Sequence, residues 1–236
     1  MVLAGLGAVG AGALALPFAL RGAPLRFEPV AGAPGYRRLV QADPQLTGAR
    51  AALVGIGAGR EAGAADLAAL HGPAPAGAVP VAYFGDVACP YCAALERRLE
   101  GLEAQGAIAV TRHELPLIAP SSRVAARAIV AAGAQGGAAA MAGRLTGTGF
   151  VPTEGLIAAV AEEEGLDAER LLAAMGSAEV EARIGSSAAL AELFGFYATP
   201  GMVVGRTAVL GLPARGVLER LVESEAERME AGWATS

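Results

Sequence analysis

The two cysteines of this 236-residue chain are two residues apart, in the segment Cys89-Pro90-Tyr91-Cys92. They follow an apolar run and open a segment with helical periodicity. A sulfur at a helix N-terminus faces unpaired backbone N–H groups and the positive end of the helix dipole, and both favour the thiolate. We therefore expect the pKa of Cys89 to lie below the value of about 8.5 for free cysteine. Cys92, one helical turn further, is close enough for a disulfide.

A cysteine pair with this spacing can support redox, structural or metal chemistry. A thiolate with a low pKa is a good leaving group, so the pair can pass its disulfide to a substrate thiol through a mixed disulfide. A structural disulfide that closes so short a loop adds little to the stability of the folded protein. A zinc site needs more ligands, which His71 and His113 could supply, although each is better interpreted as a surface or loop residue. Cys-x-x-Cys beside a strand–helix–strand pattern favours the redox interpretation.

The elements that position the cysteines form such a unit. VPVAYFG (79–85) is a continuous apolar run, typical of a strand that is buried on both faces. The apolar positions of the following helix have amphipathic spacing and are Leu95, Leu99 and Leu102. Gly106 predicts the end of that helix, and AIAVTRHELP (107–116) predicts the next strand. We expect the two strands to be parallel, with a right-handed crossover.

Residues 121 to about 195 are almost entirely helical in pattern. Ser121 or Ser122 predicts the first helix cap, and later caps are predicted at Thr153, Asp167 and Ser177.

The remaining segments predict a hairpin, a final helix and an irregular N-terminal part. MVVG and TAVL (202–210) are two short strands joined through Gly205-Arg206, and the last helix begins near Pro213. Before the cysteines, GYRRLV (35–40) is interpreted as a short strand and HGPAPAGA (71–78) as a linker. ARAALVGIG (49–57) is apolar and could be either a strand or a helix.

The first 20 residues carry no charge and are long enough to cross the hydrocarbon core of a bilayer. We interpret residues 1–21 as an export signal or N-terminal membrane anchor; a buried helix is the alternative. Charges recur after Arg21 and no second apolar segment of this length appears, so the rest of the chain is expected to be soluble. With an export signal or anchor before it, this part is expected on the outer side of the membrane, in a periplasmic or other extracytoplasmic compartment. Such compartments are oxidising, which suits a working disulfide.

Composition argues against nucleic acid as a partner. The net charge is −5, whereas a nucleic-acid surface needs a basic stripe, and aromatic residues make up only 5% of the chain. Apolar residues make up 54%, which is enough for a sizeable core.

Two motifs carry a family resemblance. FGDVACPYC (84–92) after a buried strand, together with YATPG (197–201) before a hairpin, resembles the thioredoxin fold and, more closely, the DsbA-like thiol–disulfide oxidoreductases of the bacterial envelope. HELPLIAPSSRVAARAIVAA (113–132) is similar to the segment where that family's inserted helical domain begins, and LFGFYATPGMVVG (193–205) to its return to the sheet. The resemblance covers roughly residues 79–225.

The resemblance implies an α/β chain with a thioredoxin-like fold and an inserted all-helical subdomain. The thioredoxin-like domain is expected over 77–120 and 196–231, and the inserted subdomain over 121–195. Residues 22–76 form a Gly/Ala/Pro-rich extension that contributes at most one strand.

The resemblance also implies roles for the motif residues. Cys89 matches the family's nucleophilic, solvent-facing cysteine, and Cys92 matches the more buried resolving cysteine. Pro90 and Tyr91 match the dipeptide that tunes the redox potential.

In the family, a cis-proline faces the cysteine pair, and the residue before it offers its backbone to the substrate peptide. Pro200 and Thr199 match these two positions. From the residues alone, an ordinary trans bond would be expected here.

The sequence leaves the roles of several nearby residues open. Asp86 is interpreted as a solvated loop carboxylate, although it could perturb the thiolate. Glu96 and Glu114 could relay protons near Cys92 or be solvated. The aromatic residues before Pro200 could line a substrate groove or pack in the core; they are Phe194, Phe196 and Tyr197.

The implied function is an exported thiol–disulfide oxidoreductase that oxidises cysteine pairs of other exported proteins and is re-oxidised by a membrane partner. No bound cofactor or metal is expected. Cys-Pro-Tyr-Cys differs from the motif of the family's best-known strong oxidant, so the direction of exchange stays open. The alternatives are an envelope reductase or isomerase, a thioredoxin-fold chaperone, a metal-ion carrier, and a cytosolic glutathione-linked enzyme.

Overall fold

The computed structural model describes residues 24–40, 65–146 and 151–233. The interpretations of residues 1–21 and 49–57 therefore lie outside the described residues. Within the described ranges one sheet contains β1 (Arg26–Pro29), β2 (Arg37–Val40), β3 (Val79–Gly85), β4 (Ile108–Glu114), β5 (Gly201–Val204) and β6 (Thr207–Leu210). The α-helices of the same ranges are α1 (Pro90–Ala104), α2 (Pro120–Gly133), α3 (Ala138–Leu145), α4 (Glu154–Glu163), α5 (Ala168–Ala174), α6 (Ala178–Leu193) and α7 (Arg215–Glu230). None of these helices is long and apolar enough to cross a bilayer.

The sheet is mixed, with strand order β1-β2-β6-β5-β3-β4. β3 and β4 pair in parallel from Val79↔Ile108 to Gly85↔Glu114, and α1 connects them, as the sequence predicted. β3 also pairs antiparallel with β5, so both of its edges are hydrogen-bonded. Its two faces are also buried, in the clusters on either side of the sheet, and this explains why its sequence is a continuous apolar run.

β5 and β6 form the predicted antiparallel hairpin through Gly205-Arg206. Gly205 has a positive φ of 55°, which glycine adopts without strain. α7 begins at Arg215, two residues after the predicted start at Pro213.

The N-terminal extension contributes two strands to the sheet, where at most one was expected. The predicted strand in 35–40 is present as β2, which pairs in parallel with β6. β1 pairs antiparallel with β2 and forms the edge of the sheet. Because β1 is mostly exposed, it has no buried face to impose an alternating apolar pattern, and the sequence therefore gave no signal for it.

The segment between β4 and β5 contains α2 to α6, which share an apolar core rich in alanine. The predicted caps at Thr153, Asp167 and Ser177 are present. The predicted cap at Ser121 or Ser122 is wrong, because α2 begins at Pro120. The Ser122 hydroxyl instead accepts a hydrogen bond from the backbone N–H of Ala119, at 3.2 Å.

The two faces of the sheet have different coverings. α1 and α7 pack on one face, in a cluster that contains both cysteines. The end of α6 and the segment around Leu70 pack on the other face, around Phe84, Phe194 and Phe196. The cysteine pair therefore lies at the C-terminal end of β3, on the α1 side of the sheet.

Candidate active site

The loop between β3 and α1 presents the cysteine pair. Cys89 is the N-cap residue of α1 in an extended conformation, and Pro90 occupies the first turn, as predicted. The backbone N–H of Cys89 donates to the carbonyl of Asp86 at 3.0 Å, which closes the loop. Both cysteines are free thiols. Cys89 is only 3% exposed and Cys92 1%, so the expectation that Cys89 faces solvent is wrong in this state.

The covering loop around Thr199 explains this burial. The Sγ atom of Cys89 lies 3.4 Å from the carbonyl oxygen of Thr199, to which the thiol donates a hydrogen bond when it is protonated. The Thr199–Pro200 peptide bond is cis, the geometry that the resemblance implies. The carbonyl of Pro200 accepts from the N–H of Gly211 at 2.7 Å, so the loop is tied to the end of the β5–β6 hairpin.

The surroundings of the two sulfurs separate their pKa values. A hydrogen bond from Cys92 is the largest cause that lowers the pKa of Cys89, to about 6, and it outweighs burial, which acts in the opposite direction. The backbone N–H groups of Tyr91 and Cys92 at the start of α1 lower it further, as expected at a helix N-terminus. The pKa of Cys92 is raised by its hydrogen bond to Cys89 and then by burial. Cys89 is thus the thiolate and Cys92 the thiol of the reduced pair.

Asp86 is a buried structural hub, and its interpretation as a solvated loop carboxylate is wrong. It accepts four hydrogen bonds, from the N–H of Ala88 (2.9 Å), Leu117 (2.7 Å) and Ile118 (2.9 Å) and from the Ser122 hydroxyl (2.7 Å). The carboxylate therefore joins the cysteine loop to the β4–α2 connection and to the first turn of α2. Such partners are too distant in sequence to be inferred from a local pattern.

A small cavity of about 20 Å³ lies beside Cys92 and contains the two predicted relay candidates. Glu96 accepts from Arg112 at 3.0 Å and is not a solvated carboxylate. Glu114 lies at the end of β4 and lines the same cavity. Burial, followed by the charges of Glu96 and Asp86, raises the pKa of Glu114 to about 8. Glu114 therefore carries a proton at neutral pH.

Tyr83 also lines this cavity, and the sequence interpretation did not single it out. Its side chain is on the Cys92 side of β3, and Cys92 lines the same cavity. A tyrosine in an otherwise apolar, buried strand was the available signal, because a buried phenol needs a hydrogen-bond partner.

The two histidines have structural partners on the other face of the sheet. His113 is buried in β4, stacks on Phe84 with 4.6 Å between ring centroids, and contacts the carbonyl of Leu70 at 2.9 Å. His71 contacts the carbonyl of Gly205 at 3.1 Å, and burial lowers its pKa to about 4. The surface interpretation of His113 is therefore wrong. A zinc site formed by both histidines and both cysteines is incompatible with this placement.

The aromatic residues before Pro200 divide between core and surface. Phe194 and Phe196 are buried and stack on each other, so they do not line a groove. Tyr197 is exposed, as are Tyr91 beside the cysteines and Ile118, whose N–H is held by Asp86. These three exposed side chains belong to the cysteine segment itself and to the two segments whose backbones contact the cysteine loop.

Comparisons with known proteins agree with this geometry. Residues 80–222, more than half of the chain, match the family model described as DSBA-like thioredoxin domain. A thioredoxin-like oxidoreductase from Silicibacter pomeroyi is 34% identical, with a TM-score of 0.57 over 62% of this chain and 86% of that chain. DsbA from Xylella fastidiosa is 25% identical, with a TM-score of 0.53 over 67% and 90%.

A periplasmic thioredoxin-like protein from Salmonella enterica serovar Typhimurium is 22% identical, with a TM-score of 0.57 over 68% of this chain and 95% of that chain, and shows the fold alone. None of the curated proteins that were compared matches the chain.

Proposed function

Because the chain belongs to the family of DsbA-like thioredoxin domains, which are thiol–disulfide oxidoreductases, we propose that it oxidises cysteine pairs of exported proteins with a disulfide between Cys89 and Cys92. One observation carries this proposal: the sulfur of Cys89, with a pKa of about 6, lies at the start of α1 and directly against the Thr199–Pro200 loop. A low pKa of Cys89 means that its thiolate is stabilised. Because the thiolate exists only in the reduced pair, the reduced pair is stabilised relative to the disulfide, and this favours transfer of the disulfide to a substrate.

The reaction consists of two exchanges. A substrate thiolate attacks the sulfur of Cys89, the Cys89–Cys92 bond breaks, and its electron pair remains on Cys92. We assign Glu114, which lines the cavity beside Cys92, as the group that gives this thiolate a proton. A second substrate thiolate then attacks the substrate sulfur of the mixed disulfide, which forms the substrate disulfide and releases Cys89 as a stable thiolate. The enzyme ends reduced by two electrons, and the proposed membrane partner removes them.

The Thr199–Pro200 loop and its exposed neighbours form the proposed substrate face. The backbone of Thr199 is placed to bind an extended substrate segment beside the sulfur, and Pro200 fixes the direction of that backbone. Tyr91, Tyr197 and Ile118 offer apolar contacts to an unfolded chain. Pro90 and Tyr91 have the further proposed role of tuning the potential, because they occupy the first turn of the helix that stabilises the thiolate.

Export to an oxidising compartment completes the proposal, with residues 1–21 as the signal or anchor. Fractionation of cells that produce the chain with and without residues 1–21 tests this part. Recovery of the full chain in the cytosol, with its cysteines reduced, would instead support the glutathione-linked alternative.

The reduction potential of the Cys89–Cys92 couple is the first measurement. We expect it to be less negative than about −200 mV, above the thioredoxin value of about −270 mV and toward the DsbA value of about −120 mV. The Cys89 pKa of about 6 lies between the corresponding thiolate pKa values of about 7 and about 3.5. Equilibration in glutathione buffers, followed by quantification of the two redox forms, gives the value.

The measured potential separates the alternatives. A value less negative than about −200 mV supports the oxidising or isomerising role, and a value below about −230 mV indicates a pair that is kept reduced. If no reversible disulfide forms, the redox proposal is wrong. Stoichiometric metal binding that either cysteine substitution abolishes would then indicate a carrier, and aggregation suppression by a Cys89→Ser protein would indicate a chaperone.

Glu114→Gln is expected to slow thiol attack on the oxidised protein on the order of a hundredfold at pH 7, because the departing Cys92 thiolate loses its proton donor. The wild-type rate is expected to fall as Glu114 ionises near pH 8, and the variant should lack this inflection. Stopped-flow reduction by a small thiol between pH 6 and 9 measures both effects. Glu100→Gln, on the exposed side of α1, is the matched control. An unchanged inflection near pH 8 in Glu114→Gln would exclude this role.

A further inference from the structure

Tyr83 and Gly85 form a complementary pair on the central strand β3. Tyr83 is only 5% exposed and belongs to the same apolar cluster as Cys89 and Cys92. Its ring lies across Gly85: a Cβ atom at Gly85 would be 2.5 Å from the Tyr83 hydroxyl oxygen, 2.7 Å from Cζ and 2.8 Å from Cε1. Any larger residue at position 85 would displace the phenol. Because glycine has no side chain, Gly85 leaves room for the Tyr83 hydroxyl.

The hydroxyl of Tyr83 reaches the cavity beside Cys92. Tyr83, Gly85, Cys92 and Glu114 all line this cavity, whose volume of about 20 Å³ leaves little room for solvent. A phenol buried in such a place requires a hydrogen-bond partner, and the Cys92 sulfur lines the same cavity. Burial and then the negative charges around the cavity raise the pKa of Tyr83 far above its usual value. The group therefore remains protonated and acts as a hydrogen-bond donor.

We propose that the Tyr83 hydroxyl donates a hydrogen bond to the sulfur of Cys92 and stabilises the negative charge that this sulfur acquires when the disulfide opens. The proposal rests on the disulfide exchange proposed above and assigns a further residue to it. When a thiolate attacks Cys89, the Cys89–Cys92 bond breaks and the electron pair goes to Cys92. The Tyr83 proton stays on its oxygen throughout, so no proton is transferred at this contact.

The same hydrogen bond acts on the reduced pair. Tyr83 donates to Cys92, and the Cys92 thiol donates to the Cys89 thiolate, so the three groups form one chain of hydrogen bonds. A disulfide sulfur is a weaker acceptor than a thiol whose own proton is donated to a thiolate, because that donation increases the negative charge on the thiol sulfur. The contact therefore stabilises the reduced form more than the oxidised form, and it makes the disulfide a stronger oxidant.

Tyr83→Phe removes only the hydroxyl and tests the proposal in the full chain. A single hydrogen bond changes an equilibrium by up to about tenfold. We expect the glutathione equilibrium of the variant to shift about tenfold toward the disulfide, which corresponds to about 30 mV toward more negative potential. The pKa of Cys89, measured from thiolate absorbance, should rise. Tyr36→Phe is the matched control, because Tyr36 packs on Phe194 on the other face of the sheet.

Gly85→Ala provides a second, independent variant. The added methyl group displaces the phenol while the hydroxyl remains in the chain. We expect its reduction potential to shift in the same direction as that of Tyr83→Phe. The double variant Gly85→Ala/Tyr83→Phe should shift no further than the single variant with the larger shift.

The possible outcomes are distinct. If the wild-type couple is reversible and folded Tyr83→Phe has the wild-type potential and Cys89 pKa, the role of Tyr83 is wrong and the exchange function stands. If the wild-type chain forms no reversible disulfide, both proposals fail. An equal shift in Tyr36→Phe would show a general effect of lost tyrosine hydroxyls and would also overturn the proposal.

Discussion

Cys92→Ala protein is expected to stop turning over and to accumulate as a mixed disulfide with its substrates through Cys89. Cys92 is the group that attacks the mixed disulfide from within the protein and releases a substrate that has not found its second thiol. Its sulfur is only 1% exposed, so no external thiol replaces it easily. Cys89→Ala protein lacks the attacked sulfur and should form no such adduct.

The same substitution is expected to change the remaining thiol. The hydrogen bond from Cys92 is the largest cause of the low Cys89 pKa, so its loss should move that pKa from about 6 toward the free value of about 8.5. At pH 7 the thiolate fraction of Cys89 would then fall from about nine-tenths to below one half. Lower reactivity of the single cysteine in Cys92→Ala is thus a direct consequence of the geometry.

Two measurements check this prediction. Non-reducing electrophoresis and mass spectrometry of Cys92→Ala, incubated with an oxidised substrate protein, should show the adduct, and alkylation rates between pH 4 and 9 should give the shifted Cys89 pKa. Cys89→Ala is the control for both. A Cys92→Ala protein that completes multiple turnovers at the wild-type rate would contradict the assignment of Cys92 as the resolving cysteine.

The part of the site that could be predicted from sequence is the part encoded locally. The run 79–85, the leucine spacing after Pro90 and Gly106 each reflect contacts within a few residues, and β3, α1 and β4 formed where these patterns placed them. The low pKa of Cys89 was predictable for the same reason, because the start of its own helix helps to cause it. The cis bond at Thr199–Pro200 was different: the residues favoured trans, and only the family resemblance implied cis.

The part that could not be predicted depends on contacts between distant segments. In the sequence Asp86 lies in a short loop, where a carboxylate is normally solvated. In the structure two backbone N–H groups of the β4–α2 connection and the Ser122 hydroxyl donate hydrogen bonds to this carboxylate. His113 closes a strand in sequence, yet Leu70 and α6 cover it in the fold. Burial of Cys89 depends on the loop at Thr199, which is more than 100 residues away. No local pattern records such partners, so the solvated interpretation is the natural error for each of these residues.

A further buried polar group that the sequence interpretation did not single out is Glu225, in the second half of α7. Its side chain is fully buried and accepts hydrogen bonds from the N–H of Arg206 (2.9 Å) and from the side chains of Arg37 (2.8 Å), Thr207 (2.7 Å) and Arg228 (2.6 Å). Arg37 belongs to β2, and Arg206 and Thr207 to the hairpin. One carboxylate therefore connects α7, the N-terminal strand and the hairpin that follows the Thr199–Pro200 loop.

Glu225→Ala is expected to lower the free energy of unfolding by about 3–5 kcal/mol, because removing one partner of a buried ion pair leaves the other charge uncompensated. Thermal or urea unfolding of the oxidised and reduced proteins measures the loss. Glu227→Ala, an exposed position two residues further on α7, is the matched control and should change stability by less than about 0.5 kcal/mol. The reduction potential of Glu225→Ala should stay near the wild-type value, because this network does not touch either sulfur.

The pH dependence of this effect has a defined sign. Burial alone would raise the pKa of Glu225, but the hydrogen bonds from Arg206, Thr207 and the two arginine side chains outweigh it and hold the pKa below its usual value of 4.5. A carboxylate with a depressed folded-state pKa contributes its stability above the unfolded value and loses it as the pH falls through the folded value. The stability difference between wild type and Glu225→Ala should therefore be full at pH 7 and shrink below about pH 4.5. A difference that stays constant down to pH 3 would show that the lost side-chain volume, rather than the charged network, stabilises this junction.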